Sequence, residues 1–150
     1  MTTYYARSFK DLRVYQKARE VSGAVFRLSK AFPKEETYSL TDQIRRASRS
    51  VGAQIAEAWG KRRYEKHFVS KLTDADAEQM ETQHWVSEAL DCGYLSSADA
   101  TRLSSGLEEV GRMLNSMIEK ADSFCGPLDS ALRETTAEYF TAADETRTDD

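Results

Sequence analysis

A chain of 150 residues with a formal net charge of −4 is long enough for one domain that buries a core without disulfides or metals. Two prolines and seven glycines, set among many Ala, Leu, Glu, Arg and Lys, favour helix over sheet. No stretch approaches the roughly 18 apolar residues that span a bilayer, and Met1–Arg7 has no hydrophobic run of a secretory signal.

Ser8, with Asp11 three positions on, marks a capped start. Leu12, Tyr15, Ala18, Val21, Val25, Leu28 and Phe32 recur at steps of three and four, which predicts a first helix from about residue 9 to 31. Pro33 ends it, because proline disfavours helical geometry at the residue before it. Ser39 with Asp42 repeats the capping pattern. Leu40, Ile44, Ala47, Val51, Ile55 and Trp59 stripe a second helix that stops at Gly60. A third is predicted from roughly Tyr64 to Asp91, stopped by Gly93. Its stripe of Phe68, Leu72, Ala75, Met80, Val86 and Leu90 is weaker, with Asp76, Gln79 and Gln83 interrupting it at helical spacing. Ser96 or Ser97 caps a fourth helix carrying Leu103, Leu107, Val110, Leu114, Met117 and Ala121, closed by Gly126-Pro127. Short connections between four long amphipathic segments imply antiparallel neighbours: an all-α, up-and-down four-helix bundle over residues 1–125. Residues 126–150 shift to Thr, Ala, Asp and Glu. Leu128, Leu132, Tyr139 and Phe140 could support a short helix in this acidic tail, and the last ten residues have a disordered composition.

The charge divides unevenly. Residues 1–125 hold 19 Lys+Arg against 18 Asp+Glu, whereas residues 126–150 hold two Arg against seven acids. The acidic balance therefore describes the tail and does not exclude a nucleic-acid partner for the body. Between positions 45 and 66 stand seven basic residues, Arg45, Arg46, Arg49, Lys61, Arg62, Arg63 and Lys66, against Glu57 and Glu65. Such a surface attracts phosphates irrespective of sequence, and Trp59 and Tyr64 are placed to stack on unpaired bases. The competing reading is that these cations form ion pairs within or between subunits. Asp74 to Asp91, with six acids and no Lys or Arg, is the obvious partner segment.

Gly52, Ala53, Ala56 and Gly60 form a row of small residues off the main stripe of the second helix. A mid-helix glycine costs roughly 1 kcal/mol relative to alanine, and close approach of another helix, from the same bundle or a neighbouring subunit, would offset it. Gln54 and Glu57, with Asp76, Gln79 and Gln83, are candidates for one hydrogen-bonded polar layer that organises helix or subunit packing. No catalytic pattern competes. Glu81-Thr82-Gln83-His84 supplies one half of a di-iron Glu-x-x-His pair, but the other histidine, His67, has Tyr64 three positions before it. Cys92 and Cys125 lack CxxC spacing and read as free thiols of a reducing compartment. Gly-x-Gly does not occur. No enzyme activity, cofactor or metal is expected, and a cytoplasmic, non-membrane protein is.

Phe9-Lys10-Asp11-Leu12-x-Val14-Tyr15-Gln16-x-Ala18, Phe32-Pro33, Tyr38-Ser39-Leu40-Thr41-x-Gln43-Ile44-Arg45-Arg46-Ala47, Ile55-Ala56-Glu57-x-Trp59-Gly60-Lys61 and Glu81-Thr82-Gln83 together form a pattern. It resembles the four-helix-bundle family associated with intervening sequences of bacterial 23S ribosomal RNA genes, which includes the accessory protein of diversity-generating retroelements. The resemblance covers roughly residues 8 to 122 and implies a ring-like homopentamer. For the retroelement branch it implies binding to RNA and to a reverse transcriptase through basic surfaces. Gly52, Gln54 and Ala58 stand where the family usually has proline, asparagine and glycine. Asp74, Ala75 and Asp76 replace an Arg/Lys-Gly-Ser-like stretch, which makes the third helix more acidic. The expectation is a non-enzymatic, homo-oligomeric bundle serving as an RNA- or ribonucleoprotein-associated adaptor. The alternative is a purely protein-binding oligomeric scaffold.

Overall fold

Each long segment carries one apolar face, and those faces meet in a common interior. The computed structural model describes residues 4–126 and 132–134. Its four long helices are α1 (Arg13–Ser29), α2 (Leu40–Gly60), α3 (Glu65–Asp91) and α4 (Ser97–Glu119), and a single turn, α5 (Ala121–Phe124), follows the last. A departure from the all-helical expectation is a short antiparallel pairing of β1 (Tyr4–Ala6) with β2 (Leu132–Glu134). Leu132 therefore lies in a strand, and the other tail positions assigned to a short helix (Leu128, Tyr139 and Phe140) lie outside the described residues.

Around the bundle, α1 packs on α2, α2 on α3, α3 on α4, and α4 back on α1. Partner numbers fall along one helix as they rise along the next. Ser29 meets Arg45 while Tyr15 meets Gly52, and Lys17 meets Glu109 while Val21 meets Gly106.

The stripes of α2 and α4 are buried throughout, with Leu40, Ile44, Ala47, Val51, Ile55 and Trp59 facing Leu103, Leu107, Val110, Leu114 and Met117 across the interior. In α1, Tyr15 and Leu28 are only half-buried, and Val14 enters the core instead. The stripe of α3 differs more. Met80 and Leu90 are exposed, and the buried line is Phe68, Leu72, Ala75, Gln79, Thr82, Val86 and Ala89. Two polar residues thus occupy core positions because their hydrogen bonds are met. The Thr82 hydroxyl donates to the Glu78 carbonyl, and the Gln79 amide both donates to Asp76 and accepts from Gln83.

Two caps follow the sequence and one does not. Ser8 and Asp11 form a reciprocal capping box, on a 3-10 turn (Phe9–Asp11) ahead of α1, and the Ser96 hydroxyl accepts the Asp99 N–H at the start of α4. At α2, however, Ser39 makes no capping bond to the helix. Glu36 takes that place: its carboxylate accepts the Leu40 N–H at 3.1 Å and the Ser39 hydroxyl at 2.9 Å, and also the Tyr94 hydroxyl at 3.3 Å. The bonds from Ser39 and Leu40 hold the Glu36 carboxyl below its ordinary value. A depressed folded pKa means that this stabilisation is present above the unfolded carboxyl range and is lost as pH falls through the folded value. Glu36→Gln mimics the protonated acid. It is expected to lower the melting temperature at neutral pH, and that deficit is expected to shrink as pH falls below the ordinary carboxyl range. A deficit that persists in acid would show that the charge at Glu36 does not cap α2.

Candidate nucleic-acid interface

The seven predicted cations do not converge. At roughly 1.5 Å per residue, the 15 steps from Arg45 to Gly60, where α2 ends, separate the first cations from the junction by about 22 Å. Near the first turns of α2, the Arg45 and Arg49 guanidiniums lie 4.9 and 5.5 Å from the centre of the Phe26 ring of α1. Arg45 also donates to the Ser29 hydroxyl at 2.7 Å. Arg46 points into solvent beside Asp42, one turn earlier on the same helix. Among the described residues, none of these three arginines is paired with the acids of α3. Those acids crowd one another instead: burial first, and then the charges of Glu81 and Asp74, push the Glu78 carboxyl up.

Arg62 leaves the solvent-facing set. Only 6 % of its surface is exposed. Its Nε donates to the Trp59 carbonyl at 2.7 Å, and its guanidinium lies 3.5 Å from the centre of the Trp59 ring. Burial lowers its pKa from the ordinary arginine value. The Arg62 carbonyl accepts the Gly126 N–H, tying the chain after α5 to the α2–α3 corner. Trp59, expected as a stacking platform, is itself buried at 8 % exposure. Close by, burial and the Glu65 charge push the Cys125 thiol up to about 11, so it stays protonated and is a poor nucleophile at neutral pH.

At the α2–α3 junction, Lys61, Arg63, Tyr64, Lys66 and His67 remain exposed. Arg63, Tyr64, Glu65, Lys66, His67, Val69 and Ser70 line an open groove of about 890 Å³. A smaller pocket formed by Lys61 and Lys71 shares His67 and Ser70 with it. Tyr64 is 60 % exposed, and its ring centre lies 5.5 Å from that of His67. Its backbone is nonetheless fixed: the Tyr64 N–H donates to Lys61, and the Tyr64 carbonyl accepts from His67 and Phe68. An aromatic side chain thus projects into water among cations from an anchored main chain. Trp59 and Arg62 are withdrawn from this set because the corner needs a lid over its core. His67 enters it because one helical turn places its ring beside Tyr64.

The polar residues form two groups rather than one layer. The Lys71 ammonium binds Gln54 and Glu57 at 3.3 Å each, joining α2 to α3. Asp76, Gln79 and Gln83 interact on the other side of α3, where Asn115 of α4 reaches Asp76 at 3.4 Å. Among the described residues, the small-residue row does not hold a close helix crossing. Gly52 packs against the Tyr15 ring, Gly60 has open space beside it, and Ala53 and Ala56 line a groove of about 520 Å³ between α1 and α2. Glu81 and His84 both lie on the exposed face of α3. Among the described residues, no group of three or more His, Cys, Asp and Glu is arranged to hold a metal. No described helix is long and apolar enough to cross a membrane.

The family model for the 23S rRNA-intervening sequence protein matches residues 10–116, which takes in α1 to α3, most of α4 and the junction groove. The chain belongs to that family. Among solved structures it is similar to a crystal structure from Bacteroides thetaiotaomicron VPI-5482, a protein of unknown function from the S23 ribosomal protein family. The identity is 26%, the TM-score is 0.64, and the match covers 71% of this chain and 98% of that one. No curated protein matches. In this member of the 23S rRNA-intervening sequence family, the exposed cations at the α2–α3 junction and the α1–α2 groove are among the surfaces that the bundle leaves open.

Proposed function

We propose that the protein is a non-enzymatic, self-associating up-and-down helical bundle that acts as an adaptor for RNA or a ribonucleoprotein. Lys61, Arg63 and Lys66 are its phosphate-binding cations. The observation that carries this reading is that Arg63 and Lys66 stand exposed around one groove, with Lys61 in the pocket adjoining it, and that none of the three is ion-paired among the described residues, although Glu65 shares the groove. Solvated, unpaired cations remain available to phosphates, whereas Arg62, already engaged with Trp59, does not. The family description, tied to a ribosomal RNA gene, points the same way. Self-association is supported by the α1–α2 groove, whose small-residue floor lies between the aromatic rings of Tyr15 and Phe26 and the guanidiniums of Arg19 and Arg49. In this reading Arg45, Arg46 and Arg49 serve assembly. In this reading the assembly has five copies, as the family resemblance implies, and a reverse transcriptase is the protein partner that the retroelement branch of the resemblance implies.

The test is fluorescence anisotropy of a structured RNA titrated with protein from low to physiological salt, alongside light scattering of the protein alone. Wild type is expected to bind with a steep salt slope. The combined variant Lys61→Gln, Arg63→Gln, Lys66→Gln should bind more weakly, its slope reduced by about 0.7 to 0.9 for each phosphate that is no longer neutralised. Arg62→Met should leave the slope unchanged. A slope that ignores the three exposed cations removes them from the site. A stable oligomer with no RNA affinity at low salt favours the protein-binding scaffold, for which the self-repelling acids of α3 are the natural docking charge. A monomer at all concentrations overturns self-association.

A further inference from the structure

We infer that the junction groove takes unpaired nucleotides, with one base stacked on the Tyr64 ring beside His67 and its flanking phosphates on Arg63, Lys66 and Lys61. This rests on the RNA-adaptor reading and names the class of RNA that the site selects.

Three features of the groove separate a single strand from a duplex. The first is the exposed ring. A tyrosine is a large apolar surface that folding normally covers, yet Tyr64 keeps 60 % of its area in solvent. Its backbone hydrogen bonds to Lys61, His67 and Phe68 anchor its main chain at the start of α3, so only the side-chain torsions remain to be ordered when a ligand covers it. The second is the ring pair. His67 sits 5.5 Å away at a 52° tilt, so a second ring borders the same groove. The third is the placement of charge. Arg63 and Lys66 share the groove with the ring, and Lys61 opens onto the adjoining pocket through His67 and Ser70. A splayed base carries a phosphate on each side of it along the strand, and Arg63 and Lys66 stand one and two positions from Tyr64 in the chain. An A-form duplex keeps its bases stacked inside and offers this site only phosphate and sugar. On a duplex Tyr64 would stay uncovered and contribute little. On a single strand each stacked base adds affinity without demanding a particular sequence.

The experiment compares a single-stranded oligouridylate carrying one 2-aminopurine with a blunt RNA duplex of equal length, on wild type, Tyr64→Ala and Tyr64→Phe. The single strand is expected to bind wild type more tightly than the duplex, with quenching of the 2-aminopurine fluorescence. Tyr64→Ala should weaken single-strand binding by roughly 5- to 150-fold and abolish the quench while leaving duplex binding unchanged. Tyr64→Phe, which keeps the ring, should restore both. Circular dichroism melting should match across the three, since an exposed ring contributes little to the core. Equal binding of duplex and single strand that Tyr64→Ala does not alter overturns the stacking site and leaves the adaptor reading standing. Failure of wild type to bind either RNA at low salt overturns the adaptor reading and, with it, this inference.

Discussion

Phe68→Ala is expected to lower the unfolding free energy by about 3–5 kcal/mol, the range for truncating a buried phenylalanine whose cavity cannot collapse. Phe68 is 1 % exposed, and its ring stacks on that of Phe124 at 5.7 Å. The two rings join the core cluster that runs through Leu72, Leu114 and Met117. Truncation would leave Phe124 facing a void, and α5 is too short to follow it inward without breaking the Gly126–Arg62 bond. Against a total stability of about 5–15 kcal/mol for a domain of ordinary size, the loss takes a large share. It also loosens the first turns of α3, where Lys66 and His67 belong to the groove. Urea unfolding followed by circular dichroism checks the prediction. A loss under about 1 kcal/mol would show that the α3–α5 packing is not as described.

Replacing Gly106 by alanine is expected to destabilise the fold, although alanine is the better helix former. Propensity favours the change by roughly 1 kcal/mol. A Cβ at this position of α4, however, would lie 2.8 Å from Val21 Cγ2 of α1. Valine has one preferred rotamer in a helix and cannot swing aside, so α1 and α4 must separate, at a cost of about 1–3 kcal/mol. The steric effect outweighs the propensity. Gly60→Ala makes the contrast, because nothing lies within 4 Å of its added Cβ. There the change should be neutral or slightly stabilising. Thermal melts of both variants read the two signs, and a stabilised Gly106→Ala would mean that α1 and α4 do not approach closely at Val21.

That pair of glycines also shows why small residues mislead when read along the chain. Gly52-Ala53 and Ala56 on α2 look like a helix-crossing motif, and Gly106 and Gly111 on α4 look unremarkable. The close approaches occur at Gly106 against Val21 and Gly111 against Gln79, where α4 meets α1 and α3. Nothing in local composition encodes which neighbour's side chain comes to lie over a given glycine.

Position along the chain determined most of the architecture. Steps of three and four put Leu40 through Trp59 and Leu103 through Met117 on buried faces, because a 3.6-residue period leaves an apolar side chain only one direction to face. The helix stops at Pro33 and Gly93 follow from backbone geometry alone, and Gly93 takes the positive φ of 77° that side chains avoid. The family pattern was legible in the same way, in motifs that need no partner in space. Tertiary structure decided everything that depends on what lies across a gap. Met80 is apolar and Gln79 polar, yet Gln79 is inside because Asp76 and Gln83 complete its hydrogen bonds there. Seven cations look alike in sequence. The corner turned Arg62 inward over Trp59, the length of α2 carried Arg45 and Arg49 to the Phe26 end, and Lys61, Arg63 and Lys66 were left beside Tyr64. A charge is available to a phosphate only if folding leaves it solvated and unpaired, and the positions of other helices settle that.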